Sequence, residues 1–182
     1  MSILTPVFGL VPAVHAIEAC TNKDFIGAFG FFGTGHVIQS PVTILTGPFA
    51  RLGKFVSDGN GNLSFTSTAG FNGYLIPQDF PGTYTVNPDC TFSSVVLLPD
   101  PINLAVTFIG TLSDDGYEIR DLFVNPPGVV VYGAGRKQQL GECTNRDLFG
   151  SYQLELSGST LQASGSRVVF SGLGRIEADG AG

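Results

Sequence analysis

Along this chain, short apolar runs alternate with polar positions at a period of two, and clusters of Gly, Pro, Asn and Asp interrupt them every eight to twelve residues. A period of two sends successive side chains to opposite faces of an extended strand, so the pattern reads as an antiparallel sandwich or barrel. "NLSFTSTAGF" (62–71) alternates in this way and ends at Asn72-Gly73, a dipeptide whose tolerance of positive φ suits a tight hairpin. "PFARLGKFVS" (48–57) leads into Asp58-Gly59-Asn60-Gly61, a second hairpin signal. "FIGAFGFFG" (25–33) opens the series, and its glycines suggest bending or close backbone approach. "YLIPQDF" contains Pro77, which lacks a ladder donor and so belongs at an edge or a bulge. "GTYTVN", "TFSSVVLL", "INLAVTFIGTL", "YEIRDLFV" and "GVVVYGAG" complete eight or nine strands, and no stretch has helical periodicity. The predicted fold is all-β, an antiparallel meander of eight or nine strands that closes into a barrel and so removes exposed edges.

The chain also repeats itself. "ACTNKDFIG" at Ala19 returns as "ECTNRDLFG" at Glu142, with five of the eight positions from Cys to Gly identical at an offset of 123. "RLGKFVSDGNG" at Arg51 returns as "GLGRIEADGAG" at Gly172 at an offset of 121. A period this long makes each copy a whole domain and not one layer of a solenoid. The expected organisation is an N-terminal segment (1–16), a barrel domain (17–138) and the opening strands of an incomplete second copy (139–182). The second copy is expected to be a fragment of a longer tandem protein; the competing reading is that its strands pair with the first barrel or with a neighbouring molecule.

Composition narrows the class further. Hydrophobic residues make up 43% and charged ones 13% of the 182 residues, with 25 Gly and 11 Pro, too apolar for disorder and too punctuated for a helical bundle. Net charge is −6 and the 9 Lys plus Arg are scattered, so no basic stripe is present to bind nucleic acid. The first sixteen residues, "MSILTPVFGLVPAVHA", are uncharged and end in a small-residue pattern that resembles an export signal without its basic start. An ordered N-terminal arm is the alternative, and the segment is too short and too interrupted by Pro for a transmembrane helix.

Three cysteines are an odd number for an exported chain. Cys20 opens the first copy and Cys90 lies in "GTYTVNPDCT", so a Cys20–Cys90 disulfide is expected to staple the first strand to the middle of the domain. Cys143 corresponds to Cys20, and its partner is expected in the missing part of the second copy. No CxxC exists and the chain has only two His, so no metal site is expected.

"CTNKDFIGAFGF", "GKFVSDGNGNLSF", "NGYLIPQDFPGTYTVNPDCT" and "GYEIRDLFVNPPGVVVYGAGRKQ" resemble a group of secreted domains of soil bacteria that often occur in tandem. The resemblance covers Cys20 to about Gln138 and the start of the second copy. It implies a barrel similar to the calycin and allene oxide cyclase barrels, a shape that also hosts cyclases of the Diels-Alderase kind. It transfers no catalytic residue.

Candidate chemistry is sparse. The "DGNGN" loop lacks the spaced carboxylates of a calcium site, and "GAFGFFGTG" precedes no helix that could bind a phosphate. On "GYEIRDLFV", Glu118 and Arg120 share one face while Tyr117, Ile119, Asp121 and Phe123 share the other. Glu118 and Arg120 are polar candidates for orienting a ligand if their face is internal, and a solvated pair if it is not. Phe29, Phe31, Phe55, Phe65, Tyr84 and Phe108 are expected on one face, forming a dry core or an apolar cup.

The expected function is therefore that of a secreted or cell-surface, non-catalytic barrel that binds a small apolar ligand or serves as a structural unit, with no cofactor. The alternatives are a cofactor-independent cyclase acting by substrate orientation, and a subunit that polymerises by strand complementation through residues 141–182.

Overall fold

The computed structural model describes residues 19–40, 43–100, 102–113, 115–139, 141–162 and 164–182. The proposed export segment, 1–16, lies outside the described residues. Eight antiparallel strands follow one another around a closed barrel: β1 (Gly27–Val37), β2 (Gly47–Ser57), β3 (Asn62–Phe71), β4 (Tyr74–Val86), β5 (Thr91–Leu98), β6 (Leu104–Leu112), β7 (Glu118–Asn125) and β8 (Val129–Lys137). Closure is made by β1, which pairs with β2 on one side and with β8 on the other.

The nine apolar runs give eight strands because "YLIPQDF" and "GTYTVN" form one continuous strand, β4. Tyr74–Thr83 of β4 pairs with β3, but only Gly82–Val86 pairs with β5. Tyr84 donates its N–H toward Gly61 on the β3 side, so the odd-numbered residues of β4 point theirs the other way. Pro77 and Pro81 thus lack an N–H where no β5 partner waits for one, and they blunt a short stretch of free edge.

Inward positions fall on alternate residues: Phe49, Arg51, Phe55 and Ser57 of β2, for example, are all buried. One end of the barrel is plugged by a 3₁₀ turn, Asn22–Phe25, whose Phe25 is 1% exposed. Phe25 meets the rings of Phe29, Tyr84 and Phe92 at centroid distances of 5.3, 4.9 and 5.0 Å. The turn is tied down in three ways. The Cys20–Cys90 disulfide joins it to the β4–β5 loop. Asn22 Oδ1 accepts the Val86 N–H at 2.8 Å, and the Asn22 carbonyl accepts the Tyr84 hydroxyl at 3.1 Å. The Asp24 carboxylate closes the turn by accepting the Thr21 N–H at 2.7 Å and the Thr21 hydroxyl at 2.9 Å.

Beyond the barrel, β9 (Phe149–Leu161) and β10 (Arg167–Asp179) form a separate two-stranded sheet. It reproduces the start of the barrel in detail. Asn145–Asp147 is again a 3₁₀ turn, and Asp147 accepts the Thr144 N–H and hydroxyl as Asp24 does those of Thr21. Gly27 and Gly150 both take positive φ, 133° and 113°. In β1–β2, Gly27 pairs with Ser57; in β9–β10, Gly150 pairs with Ala178, the equivalent residue at the two offsets. The sheet is largely uncovered, with Val169 81% and Leu173 89% exposed. Cys143 is a free, exposed thiol.

Candidate functional site

The end of the barrel opposite the plug is hollow. A cavity of about 420 Å³ runs from Phe25 up to a mouth at Gln39, Ser40, Ile102, Pro126 and Pro127. Its extent follows from how the core is divided. A packed aromatic layer fills the plug end, while toward the mouth two separate clusters form opposite walls, one around Val37, Phe49, Phe71 and Val131, the other around Phe80, Val96, Leu98 and Val106. The strands alternate large Phe with Gly on the inner face, as at Phe31 and Gly33, and the missing side chains leave the space.

Of the aromatic candidates, Phe31, Phe55, Phe65 and Phe108 line the cavity. Phe31, Phe55 and Phe65 form a continuous ring surface, with centroids 5.7 Å (Phe31–Phe65) and 5.2 Å (Phe55–Phe65) apart, and Phe80 stacks on Phe65 at 4.9 Å. Phe29 and Tyr84 belong to the packed plug layer instead, where Tyr84 accepts the Ser57 hydroxyl at 2.8 Å.

The polar candidates Glu118 and Arg120 lie on the outer wall. Ile119 is buried, and alternation then carries Glu118 and Arg120 outward, where Glu118 accepts two hydrogen bonds from Arg136, at 2.7 and 2.5 Å, and Arg120 is exposed. The same alternation turns Asp121 inward, onto the cavity wall. Burial pushes the Asp121 carboxyl up to about 6, against a hydrogen bond from the Gly133 N–H that favours the ionised form.

Sequence reasoning missed a second inward charge. Arg51 of β2 is 8% exposed and faces the cavity between two rings, its guanidinium carbon 5.5 Å from the Phe49 centroid and 5.3 Å from that of Phe80. Its Nη2 donates to Oε1 of the buried Gln78 at 2.5 Å. Burial pushes the guanidinium down to about 10, so it remains a cation at neutral pH. The signal was present in "PFARLGKFVS": Arg51 shares its face with Phe49 and Phe55, an unusual place for a charge.

The "DGNG" loop is a hairpin closed by its own aspartate. Asp58 Oδ1 accepts the N–H groups of Asn60 and Asn62 at 2.7 and 3.0 Å, and Oδ2 accepts the Asn62 side-chain amide at 2.7 Å. Among the described residues no group of three or more His, Cys, Asp or Glu is placed to hold a metal ion, and no helix is long and apolar enough to cross a membrane.

Fold and site together define a small antiparallel barrel with an aromatic-lined interior cavity and an internal charge on each of two strands. The chain matches no protein-family model, no curated protein and no solved structure.

Proposed function

We propose that this protein is a binding module for one small, predominantly apolar molecule, taken up through the mouth into the barrel. The observation that carries the reading is the cavity of about 420 Å³, lined chiefly by apolar side chains with phenylalanine the commonest, in the size range of small-molecule sites. A purely structural unit of this size would be expected to fill its interior. The likeness of the sequence to calycin and allene oxide cyclase barrels supports an interior ligand by analogy of fold alone. The Cys20–Cys90 disulfide supports an extracytoplasmic setting. Residues 141–182, which repeat the opening turn and strand register of the barrel, fit the start of a second module of the same kind.

The test is titration with N-phenylnaphthylamine, a neutral fluorophore that brightens in apolar surroundings. Gly33→Leu is the control, because the nearest atoms to a Cβ there are at 3.7 Å and the rest of the side chain enters the cavity. The expected result is saturable brightening at one equivalent, abolished in Gly33→Leu with the fold retained. Equal brightening in both proteins, or none in either, overturns the reading.

A second reading, a cofactor-independent cyclase that holds a flexible polyene in a reactive fold, is favoured by one observation: the Asp121 carboxyl faces the same cavity. Turnover separates the two readings: a polyene that enters the cavity and is released unchanged leaves binding alone, whereas a cyclised product, made more slowly by Asp121→Asn if the carboxyl assists, supports the cyclase.

A further inference from the structure

Arg51, on the cavity wall, and two buried side chains on the neighbouring strands carry polar atoms with no hydrogen-bond partner among the described residues. Arg51, Ser67 and Gln78 stand on the adjacent strands β2, β3 and β4, and the register places Ala69 opposite Arg51 and Gln78 opposite Ser67. All three are buried, at 8%, 7% and 3% exposure. The bond from Arg51 Nη2 uses the Gln78 carbonyl oxygen and turns the Gln78 amide nitrogen into a free donor. Arg51 Nε, Gln78 Nε2 and Ser67 Oγ have no hydrogen-bond partner among the described residues.

Among the described residues no carboxylate forms an ion pair with the buried cation. The ion pairs among the described residues are Arg136–Glu118 and Arg175–Glu177, both on the surface. Asp121, the acidic group of the cavity, lies on β7, which β1 and β8 separate from β2. Phe49 and Phe80 hold the guanidinium from two sides, but a ring quadrupole does not replace an acceptor. A buried charge without a counter-charge is destabilising, and an apolar residue of similar volume would serve the fold as well or better. The same arrangement fits an acceptor brought from outside, because guanidinium recognises a carboxylate with directional, charge-assisted bonds.

We propose that Arg51, supported by Gln78 and Ser67, is a head-group subsite for a carboxylate, and that the ligand is a small carboxylate on a flat apolar body that lies along the rings of Phe31, Phe55 and Phe65. This rests on the interior-binding reading above and adds to it the chemical class of the ligand. A single guanidinium, held in place by Gln78, suits a monoanion; a phosphate dianion would leave charge unmatched in an apolar cavity.

The experiment compares naphthoate with its neutral counterpart naphthylmethanol, titrated at neutral pH into the full chain and into Arg51→Met. The intact protein is expected to bind naphthoate about tenfold or more tightly than the alcohol, the scale of one charge-assisted contact. In Arg51→Met the preference disappears while the alcohol still binds, and Gln78→Met weakens it without removing the charge. The comparison in the intact protein needs no variant, so it stands even if a substitution disturbs folding. Equal affinity for acid and alcohol overturns the carboxylate subsite and leaves the apolar-binding reading standing. Failure of both ligands and of N-phenylnaphthylamine overturns both.

Discussion

Gly133 stands directly opposite Asp121 in the β7–β8 ladder and leaves the space that the carboxyl occupies. A Cβ at 133 would lie 2.5 Å from Asp121 Oδ1 and 2.7 Å from the Phe32 carbonyl oxygen. The glycine therefore does two things: it offers its N–H to the carboxylate and keeps clear the volume in which that carboxylate sits.

Gly133→Ala should accordingly displace Asp121 and strain the contact with β1. The expected loss is about 2 kcal/mol, the ordinary cost of overpacking, because one of the two clashing atoms is backbone and cannot rotate away. Urea denaturation of the variant beside the parent chain measures it; an unchanged midpoint would show that the wall yields freely at this point.

Asp121 makes stability depend on pH in an unusual direction. Its folded value of about 6 lies above the ordinary carboxylate value of 3.8, so between these limits the folded protein holds the proton that the unfolded chain has lost. Stability from this group is fully present below pH 3.8 and declines as pH rises to about 6, a change on the order of 3 kcal/mol. Asp24, Asp58, Asp89 and Asp115 act in the opposite sense, because hydrogen bonds lower their values and their contribution is lost in acid. The difference between the parent chain and Asp121→Asn isolates the one group: the variant should be more stable at neutral pH and should lose that advantage by pH 4. A difference that stays flat across this range would contradict the assignment.

The Cys20–Cys90 bond closes a loop of sequence separation 70 and anchors the plug. Replacing both cysteines by Ala should reduce stability by about 4 kcal/mol in the chain-entropy account. The loss should concentrate at one end of the barrel. Hydrogen exchange at Val86, whose N–H is held by Asn22, should quicken more than exchange near the mouth.

Removing residues 141–182 should leave the barrel intact. β8 already pairs with β1, and β9 and β10 pair with each other. The bond from Arg167 to the Asn72 side chain, at 2.6 Å, joins two exposed residues and contributes little. The thermal midpoint of the shortened chain should match that of the parent within the equivalent of about 0.5 kcal/mol. Size-exclusion chromatography of both chains tests strand complementation through 141–182: if both elute as monomers, that reading is abandoned.

Particular residues show how far the sequence could be read. Alternation placed Phe31, Phe55 and Phe65 on one face, and they share a ring surface. It also separated Glu118 and Arg120 from Ile119 and Asp121, yet it could not say which face was inside. Burial of Ile119 decided that, and it sent the proposed polar pair out to solvent. Arg51 was overlooked because a lone arginine in a strand reads as a solvent contact until its neighbours on the same face, Phe49 and Phe55, are counted.

By itself the sequence determined the β class, the hairpin at Asp58 and the likeness between the start of the barrel and residues 142–182. These follow from strand alternation, turn chemistry and self-similarity, which act over a few residues or appear as repeated text. Only the tertiary structure decided that the barrel is hollow beneath its mouth and that an unneutralised Arg51 stands in its wall. Whether an interior is filled depends on the summed volumes of side chains from eight strands. Whether a charge is paired depends on residues such as Arg51 and Asp121, 70 positions apart, and no local pattern contains either sum.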